Sequence, residues 1–168
     1  MAQDREVSAR NDLRPVREAL SEVIDSEAFV PRLLALLSNA LVWRESMLLR
    51  GEFALGTNDW RVLSALAVRP GITATDVSEF LVMNKAVVSK AVNVLIARNL
   101  IASTDGPRGS RNLFLTPPGV EMHNQMLPIS LAGEDILLSQ LSPAEATQLR
   151  VILGKLMAQI PRLANEST

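Results

Sequence analysis

The spacing of apolar residues along the chain predicts mainly helices. From Phe29 to Arg50 the sequence FVPRLLALLSNALVWRESMLLR is apolar on more than one face of a helix, and Gly51 is expected to end that helix. A helix of this kind needs two neighbours, or one neighbour from a second subunit. Residues 1–27 are charged and only weakly amphipathic, so they predict an arm or a short helix.

Three shorter helices are predicted next. Thr57 is expected to cap the first, which ends at a Pro-Gly pair. Thr73 and Asp76 form the pattern of a capping box for the second helix. Asn84 follows after a turn of two residues and is expected to cap a longer third helix. Two short helices, a tight turn and a longer helix are the pattern of a helix-turn-helix.

After Leu100 the pattern changes from helix to strand. The segments IAST and NLFL are β-prone and flank DGPRGSR, whose glycines and proline break helices. These segments predict a two-stranded hairpin, or wing, with a basic tip. Thr116 and Pro117 then open another helix, which Pro128 is expected to kink or end before a helical pattern resumes as far as Leu141.

A last helix is predicted from Ser142, with Pro143 in its first position and Glu145 completing a capping box. Its apolar stripe consists of Leu149, Ile152, Leu153 and Leu156. The predicted fold is therefore mainly α, an α+β arrangement in which one small hairpin accompanies the helices.

The stretch MNKAVVSKAVNVLIARNLI, residues 83–101, combines an apolar face with a cationic face. The apolar face spans an arc of roughly 100° on a helix and is expected to join the core; it carries Val88, Ala91, Val92, Leu95 and Asn99. The opposite face carries Ala86, Ser89, Lys90, Asn93 and Ala97. Because the stretch contains no acidic residue, we expect an anionic partner on this second face.

The positive charge of the chain is local, although the net charge is −1. Residues 84–112 hold five basic residues and one acidic residue, a net charge of +4, which leaves −5 for the rest of the chain. Such a patch is suited to binding a phosphate backbone, because binding releases the counterions that surround the phosphates. The chain as a whole, however, lacks the basic character typical of nucleic-acid binders.

Composition excludes several kinds of chemistry. The 168 residues, 48% of them hydrophobic, can build one good core. With no cysteine and one histidine, disulfides, thiolate metal sites and multi-histidine metal sites are excluded. His123 lacks a ligand partner at suitable spacing and is expected at the surface or at an interface. No set of nucleophile, base and orienter stands out, so we expect neither enzyme activity nor a cofactor.

The apolar runs are short and are interrupted by Arg or Glu, and the N-terminal sequence MAQDREVSARND is charged. Neither a membrane span nor a secretory signal is predicted, and a cytoplasmic location is expected.

The order of these elements resembles that of the MarR family of winged helix-turn-helix regulators. The resemblance covers about residues 29–163 and rests on TNDWRVLSALA, on NKAVVSKAVNVLIARNLI as the recognition helix, on LTPPG after the wing and on LSPAEATQLRVILGKL. The family's Asp-x-Arg pair near the wing tip is altered, because Asp105 stands three residues before Arg108 and Gly109 lies near the usual position of the Arg.

The resemblance implies a homodimer whose N- and C-terminal helices intertwine, with each winged domain reading half of a pseudo-palindromic operator in double-stranded DNA. It also implies transcriptional regulation, often repression that a small molecule relieves. The expected domains are an arm at residues 1–27, a dimerisation helix at 28–56, a winged helix-turn-helix at 57–119 and C-terminal dimerisation helices at 120–168.

The N-terminal half of a recognition helix points at base edges, so its exposed side chains are expected to read DNA. They are Ala86, Val87, Ser89, Lys90 and Asn93. Lys pairs with guanine, Asn with adenine, Ser with either, and Ala or Val packs on a thymine methyl. Lys85 and Lys90 could equally bind phosphate, which positions the protein without specifying sequence.

Two further groups of residues are expected to contact the backbone or the minor groove. Thr73 and Thr75 could donate to phosphate at a helix N-terminus, although Thr73 is better suited to a plain N-cap. In the wing, either Arg108 or Arg111 is expected to enter the minor groove.

Effectors of the family tend to bind between the dimer helices and the winged domain. The expected effector residues are therefore Trp43, Arg44 and Met47 on the first long helix, together with Trp60. Arg44 could pair with the carboxylate of an aromatic or carboxylate compound. Without a ligand, Trp43 and Trp60 are better suited to the core.

An interaction module that reads no sequence is the alternative, because winged domains also serve as docking surfaces and a fold does not fix a function. Ala86 and Val87 are poor hydrogen-bonding groups, and with the altered wing they favour this alternative. The charge of +4 argues against it, because docking does not require uniform positive charge. A sequence-specific DNA-binding regulator is therefore the main hypothesis.

Overall fold

The computed structural model describes residues 15–165, without the side chains of Arg108, Ala164 and Asn165. Residues 1–14 of the predicted arm, which spans residues 1–27, lie outside the described residues. The helices are α1 (Val30–Phe53), α2 (Thr57–Val68), α3 (Ala74–Leu81), α4 (Lys85–Ala97), α5 (Pro117–Leu138), α6 (Pro143–Met157) and α7 (Ile160–Asn165). Two strands, β1 (Ile101–Asp105) and β2 (Arg111–Leu115), pair as an antiparallel sheet. The predicted mainly α fold with a two-stranded wing is confirmed.

The chain divides into two compact units at Ser38 and Asn39. In the first unit, residues 15–29 form turns and bends, so the short helix considered for the arm is absent from its described part. The second unit contains the rest of α1 and all later elements.

The first long helix extends further than predicted. It begins at Val30 and continues through Gly51 to Phe53. The prediction that Gly51 ends the helix was wrong, because the left-handed residue at this end is Ala54, with φ of 52°. A left-handed residue directs the chain out of a helix, and here an alanine adopts that conformation.

The cap of α2 also differs from the prediction. Gly56 is the N-cap, and Thr57 is the first helical residue. The carboxylate of Asp59 accepts a hydrogen bond of 2.8 Å from the Gly56 N–H, and the Trp60 N–H donates to the Gly56 carbonyl. The helix therefore starts at Thr57, one residue earlier than it would if Thr57 were the N-cap.

The caps of α3 and α4 are confirmed. The hydroxyl of Thr73 accepts a bond from the Asp76 N–H at 3.2 Å, and the Asp76 carboxylate accepts from the Thr73 N–H at 2.8 Å. Asn84 Oδ1 accepts from the Ala86 N–H at 2.8 Å. Between the two helices, Val82 is left-handed with φ of 50°, which lets a short turn set α4 at an angle to α3.

The wing is joined to the helix-turn-helix by two backbone hydrogen bonds. Within the wing, Ile101 pairs with Leu115 and Asp105 with Arg111. The Gly71 N–H donates to the Leu113 carbonyl at 2.8 Å, and the Leu113 N–H donates to the Ile72 carbonyl at 3.1 Å. The segment before α3 thus pairs with β2, and the wing has a fixed position beside α3.

Pro128 neither ends nor interrupts α5, which runs without a break from Pro117 to Leu138. An interior proline removes one helical hydrogen bond, a cost that packing can offset. Met126 and Ile129 on either side of it are buried, the Arg44 guanidinium donates to the Ile129 carbonyl at 2.9 Å, and the Ser130 hydroxyl donates to Glu45. These contacts with the core and with α1 hold the stretch helical.

The core lies within the winged domain and the parts of α1 and α5 that pack on it. Its buried residues include Leu49, Leu55, Val62, Leu63, Leu66, Val77, Val88, Leu95, Leu113 and Met126. Asn99, which the helical pattern placed on the core face, is instead exposed with φ of 56°, because α4 has ended at Ala97. No residue of α6 is buried, so its predicted apolar stripe is uncovered in the single chain.

Candidate nucleic-acid interface

Helix α4 has the two faces that its sequence predicts. Its buried residues are Val88, Ala91, Val92 and Leu95, which anchor the helix in the core. The residues expected to read DNA, together with Lys85, are all exposed: Lys85, Ala86, Val87, Ser89, Lys90 and Asn93. Five of these exposed side chains lie in the N-terminal half of α4, and Asn93 lies just beyond it.

Both lysines of this surface are free to take an external partner. In the described part of the chain, one ion pair within 4.0 Å is found, between Arg150 and Glu134, and it involves neither Lys85 nor Lys90. Neither lysine side chain donates a hydrogen bond to another described residue. With no described carboxylate oxygen within 4.0 Å, the two exposed charges are suited to phosphate or to base edges.

Thr73 and Thr75 have different surroundings. The Thr73 hydroxyl accepts from the Asp76 N–H and donates to the Asp76 carboxylate at 2.7 Å, as in a plain N-cap. The Thr73 N–H and then its hydroxyl lower the pKa of Asp76 below the ordinary value of 3.8. Thr75 is exposed on the first turn of α3, which leaves it the better placed of the two for a phosphate.

The two wing arginines occupy different parts of the hairpin, Arg111 in strand β2 and Arg108 in the turn at the tip. Arg111 begins β2 opposite Asp105, and its guanidinium donates to the Ser103 hydroxyl at 2.6 Å, so it lies along the sheet. Arg108 lies in a 3₁₀ turn, Pro107–Gly109, at the tip of the wing. Arg98, part of the same basic stretch, donates to the carbonyls of Phe53 and Ala54 and thus holds the end of α1.

The four expected effector residues have different surroundings. Trp60 is buried, and its ring stacks on the His123 ring with 5.1 Å between centroids. Trp43 is 71% exposed, so the expectation that it joins the core was wrong for the single chain, and Met47 is 59% exposed. Arg44 is held by the Ile129 carbonyl. His123, expected at the surface or an interface, is half-buried against Trp60.

Sequence reasoning missed a cleft on another face of α1. It has a volume of about 610 Å³ and lies between α1, the start of α2 and α4, where Lys90 forms part of its wall. Its residues come from positions 42–59 and 87–94, which are far apart in the sequence. No local motif marks such a site, because it exists only once α4 packs beside α1.

Comparison with known proteins identifies the winged part of the chain. A family model described as the MarR family matches residues 55–111, the segment that contains α2, α3, α4 and β1. This segment is therefore similar to the MarR family. No curated protein matches the sequence. None of the described helices is long and apolar enough to cross a membrane.

Solved structures of MarR-family regulators share the fold over most of the chain. A MarR/EmrR family regulator from Acinetobacter sp. ADP1 is 25% identical, with a TM-score of 0.76 over 83% of this chain and 99% of that chain. MepR of S. aureus, in a complex with DNA, is 22% identical, with a TM-score of 0.71 over 81% and 99%. PcaV of Streptomyces coelicolor, in a complex with its natural ligand, is 19% identical, with a TM-score of 0.68 over 82% and 97%. The chain therefore has the fold of MarR-family transcriptional regulators.

Proposed function

We propose that this MarR-family protein is a homodimeric, sequence-specific DNA-binding transcriptional regulator that represses its target genes. The observation that carries the proposal is the surface of α4, where Lys85, Ser89, Lys90 and Asn93 are exposed and neither lysine is in an ion pair with a described residue. The MepR–DNA complex, which has the same fold, supports DNA as the partner.

The exposed residues of α4 suit two kinds of DNA contact. Lys90 and Asn93 carry the donors and acceptors that distinguish guanine and adenine in the major groove, and Ala86 and Val87 suit thymine methyls. Lys85, in the first turn of α4, and Thr75, in the first turn of α3, suit phosphates. In the wing, the tip at Arg108 and the start of β2 at Arg111 are the two candidates for the minor groove.

Exposed apolar side chains support the homodimer. Large apolar residues of α1, α5 and α6 are uncovered in the single chain: Leu36, Leu37, Leu131, Ile136, Val151, Ile152 and Met157 are each between 43% and 63% exposed. Uncovered apolar surface on this scale marks an interaction site. A second copy is the partner that an operator with two half-sites requires.

The test is binding of the purified protein to the duplex upstream of its own gene, at two salt concentrations and against a scrambled duplex. We expect tight binding that the scrambled duplex does not compete away and that weakens as salt rises. Equal competition by the scrambled duplex would contradict sequence reading. In that case the exposed Val87, which is 37% exposed, would favour the alternative function as a winged protein-interaction module.

A further inference from the structure

The end of α4 is joined by hydrogen bonds to both α1 and α5. Helix α4 ends at Ala97, and residues 98–100, which we call the α4 junction, lead from it into β1. Within the junction, Asn99 is left-handed, and the N–H of the buried Leu100 donates to the Leu95 carbonyl at 2.9 Å. The chain therefore leaves α4 through a turn of defined geometry, and the contacts of this turn relate α4 to the long helices.

Arg98 joins the α4 junction to the end of α1. Its guanidinium donates to the Phe53 carbonyl at 2.9 Å and to the Ala54 carbonyl at 3.3 Å. The last carbonyls of a helix have no partner within the helix and lie at the negative end of its dipole, so they favour a cation. Such a cation commonly comes from the last turn of the same helix, whereas here it comes from a residue 45 positions further along the chain.

Thr116 joins the α4 junction to the start of α5. Its hydroxyl donates to the Asn99 carbonyl at 2.6 Å and accepts from the Gly119 N–H at 3.1 Å. Its N–H donates to the Leu100 carbonyl at 3.1 Å. A Cβ atom at Gly119 would overlap that carbonyl, so the first turn of α5 lies directly against the junction.

The contacts of Arg98 and Thr116 are directional, unlike the apolar packing around them. Leu49 of α1 and Met126 of α5 are buried in the same core as α4, and they hold the long helices on the winged domain. Apolar contacts are non-directional, whereas hydrogen bonds require a defined distance and angle. The junction therefore controls the direction of α4 relative to α1 and α5 more closely than the core does.

We propose that Arg98 is a positioning residue that sets the separation of the two α4 helices in the dimer and thereby selects the spacing of the operator half-sites. This inference rests on the proposed function. A dimer of this kind binds half-sites one helical turn apart, about 34–36 Å. One extra base pair moves a half-site by about 3.4 Å along the DNA and by about 34° around it. Rejection of such a duplex requires a stiff link between α4 and the long helices.

The first experiment measures binding of the full chain to two duplexes. One is the operator that the protein protects upstream of its own gene, and the other has one base pair inserted midway between the half-sites. We expect the wild type to prefer its own spacing by at least about tenfold, a loss comparable to that of one mismatched base pair. Arg98→Met removes the charge and the donors but keeps a long side chain, and it should reduce this preference to about threefold or less, because a looser link lets α4 follow the altered spacing.

Lys85→Met is the matched control, because it removes an exposed basic side chain that has no hydrogen bond to another described residue. It should weaken binding to both duplexes equally and lower the slope of log K against log salt by about one. Arg98→Met should leave that slope unchanged, since carbonyl groups and not a phosphate hold the guanidinium. Arg98→Lys keeps a charged donor for the α1 carbonyls and should restore most of the spacing preference.

A measurement without DNA separates this inference from the proposed function. The chain has no cysteine, so Ser89→Cys on the exposed face of α4 supplies a single site per subunit for a spin label. Pulsed electron paramagnetic resonance then gives the distance between the two α4 helices of the dimer. We expect a narrow distance distribution with Arg98 and a broader one with Arg98→Met. Melting curves establish that each variant is folded.

Two results would overturn the positioning role of Arg98. The first is a distance distribution and a spacing preference that Arg98→Met leaves unchanged in the folded protein, which is the outcome of a purely structural role. The second is a salt slope that Arg98→Met lowers by about one, which would make Arg98 a phosphate contact.

Two further results separate this inference from the proposed function. A wild-type chain without any distance between subunits would overturn this inference together with the proposed dimer. A distribution that broadens in Arg98→Met, in a dimer that binds no specific duplex, would contradict the proposed function and still support the positioning of α4 by Arg98.

Discussion

Lys85 and Lys90 lie on the same exposed surface of α4 but differ in position. Lys85 is the first residue of the helix, beside the Asn84 cap, whereas Lys90 lies in its second turn and lines the cleft. Lys85, beside the cap, is therefore the candidate for a phosphate contact, and Lys90 is the candidate for a base contact within the N-terminal half of the helix. Replacing each lysine by alanine should therefore change DNA binding in a different way.

Lys90→Ala should weaken binding to the specific duplex by roughly 1–3 kcal/mol and relax its sequence preference, because a base contact is lost. Lys85→Ala should weaken binding to all duplexes and reduce the slope of log K against log salt by about one. Salt titrations on specific and scrambled duplexes measure both effects. Identical behaviour of the two variants would show that Lys90 contacts only phosphate.

At the scale of elements, the helix N-termini were predicted correctly where the cap consists of one side chain that accepts from a nearby backbone N–H. Thr73 with Asp76, Asn84, and Ser142 with Glu145 all cap as their spacing indicates. The start of α2 was mispredicted because a downstream carboxylate, Asp59, reaches back to Gly56.

Long-range packing explains what the sequence did not predict. The pairing of Trp60 with His123 and the continuity of α5 through Pro128 depend on residues more than 60 positions apart. The walls of the cleft likewise come from two separate stretches, positions 42–59 and 87–94. The exposed residues of α4 were predictable because a helical period and a lack of acidic residues mark them within one segment.

The α3 cap gives a pH prediction. Since the pKa of Asp76 is lowered in the folded chain, its carboxylate contributes stability that is fully present above the unfolded pKa and is lost as pH falls through the folded pKa. Asp76→Asn should thus be less stable than wild type near neutral pH, and this difference should shrink in acid. Urea unfolding at about pH 7 and about pH 3 measures it. Glu79→Gln, which changes an exposed carboxylate of the same helix that caps no helix end, is the control.

The junction between α4 and α5 gives a packing prediction. A Cβ atom added at Gly119 would lie 1.9 Å from the Leu100 carbonyl oxygen, which is backbone and cannot rotate away. Gly119→Ala should therefore destabilise the fold by several kcal/mol, as overpacking against rigid groups does. Gly51→Ala, in a helix where a Cβ meets nothing within 4 Å, should instead stabilise by about 0.5–1 kcal/mol. Similar melting temperatures for the two variants would show that the contact at Gly119 relaxes freely.

At the scale of the whole molecule, α1 and α6 contribute little to the core of the single chain. Leu49 is the buried residue of α1, and α6 has none. The sequence analysis predicts such uncovered helices, because a helix as apolar as α1 needs two neighbours, or one neighbour from a second subunit. The oligomeric state therefore decides whether these helices are covered.

A charge placed on the exposed apolar surface should separate the proposed dimer. Ile136, 61% exposed on α5, is suitable because its truncation removes nothing from the core. Ile136→Glu should shift sedimentation from dimer to monomer and abolish tight operator binding, because one half-site holds a single subunit weakly. Gln140→Glu adds the same charge at an exposed polar position and should leave the dimer intact. A wild-type protein that sediments as a monomer would contradict the dimer.

The backbone bonds between Leu113 and residues 71–72 fix the distance between the wing and the helix-turn-helix. In the proposed DNA complex, α4 and the wing of each subunit are therefore expected to contact adjacent grooves at a fixed separation. Because backbone hydrogen bonds fix the position of the wing relative to the helix-turn-helix, this separation cannot increase to follow an altered operator. An extra base pair between the two contacted steps must therefore be absorbed by the DNA, through bending or twisting, at a cost that depends on how deformable that step is.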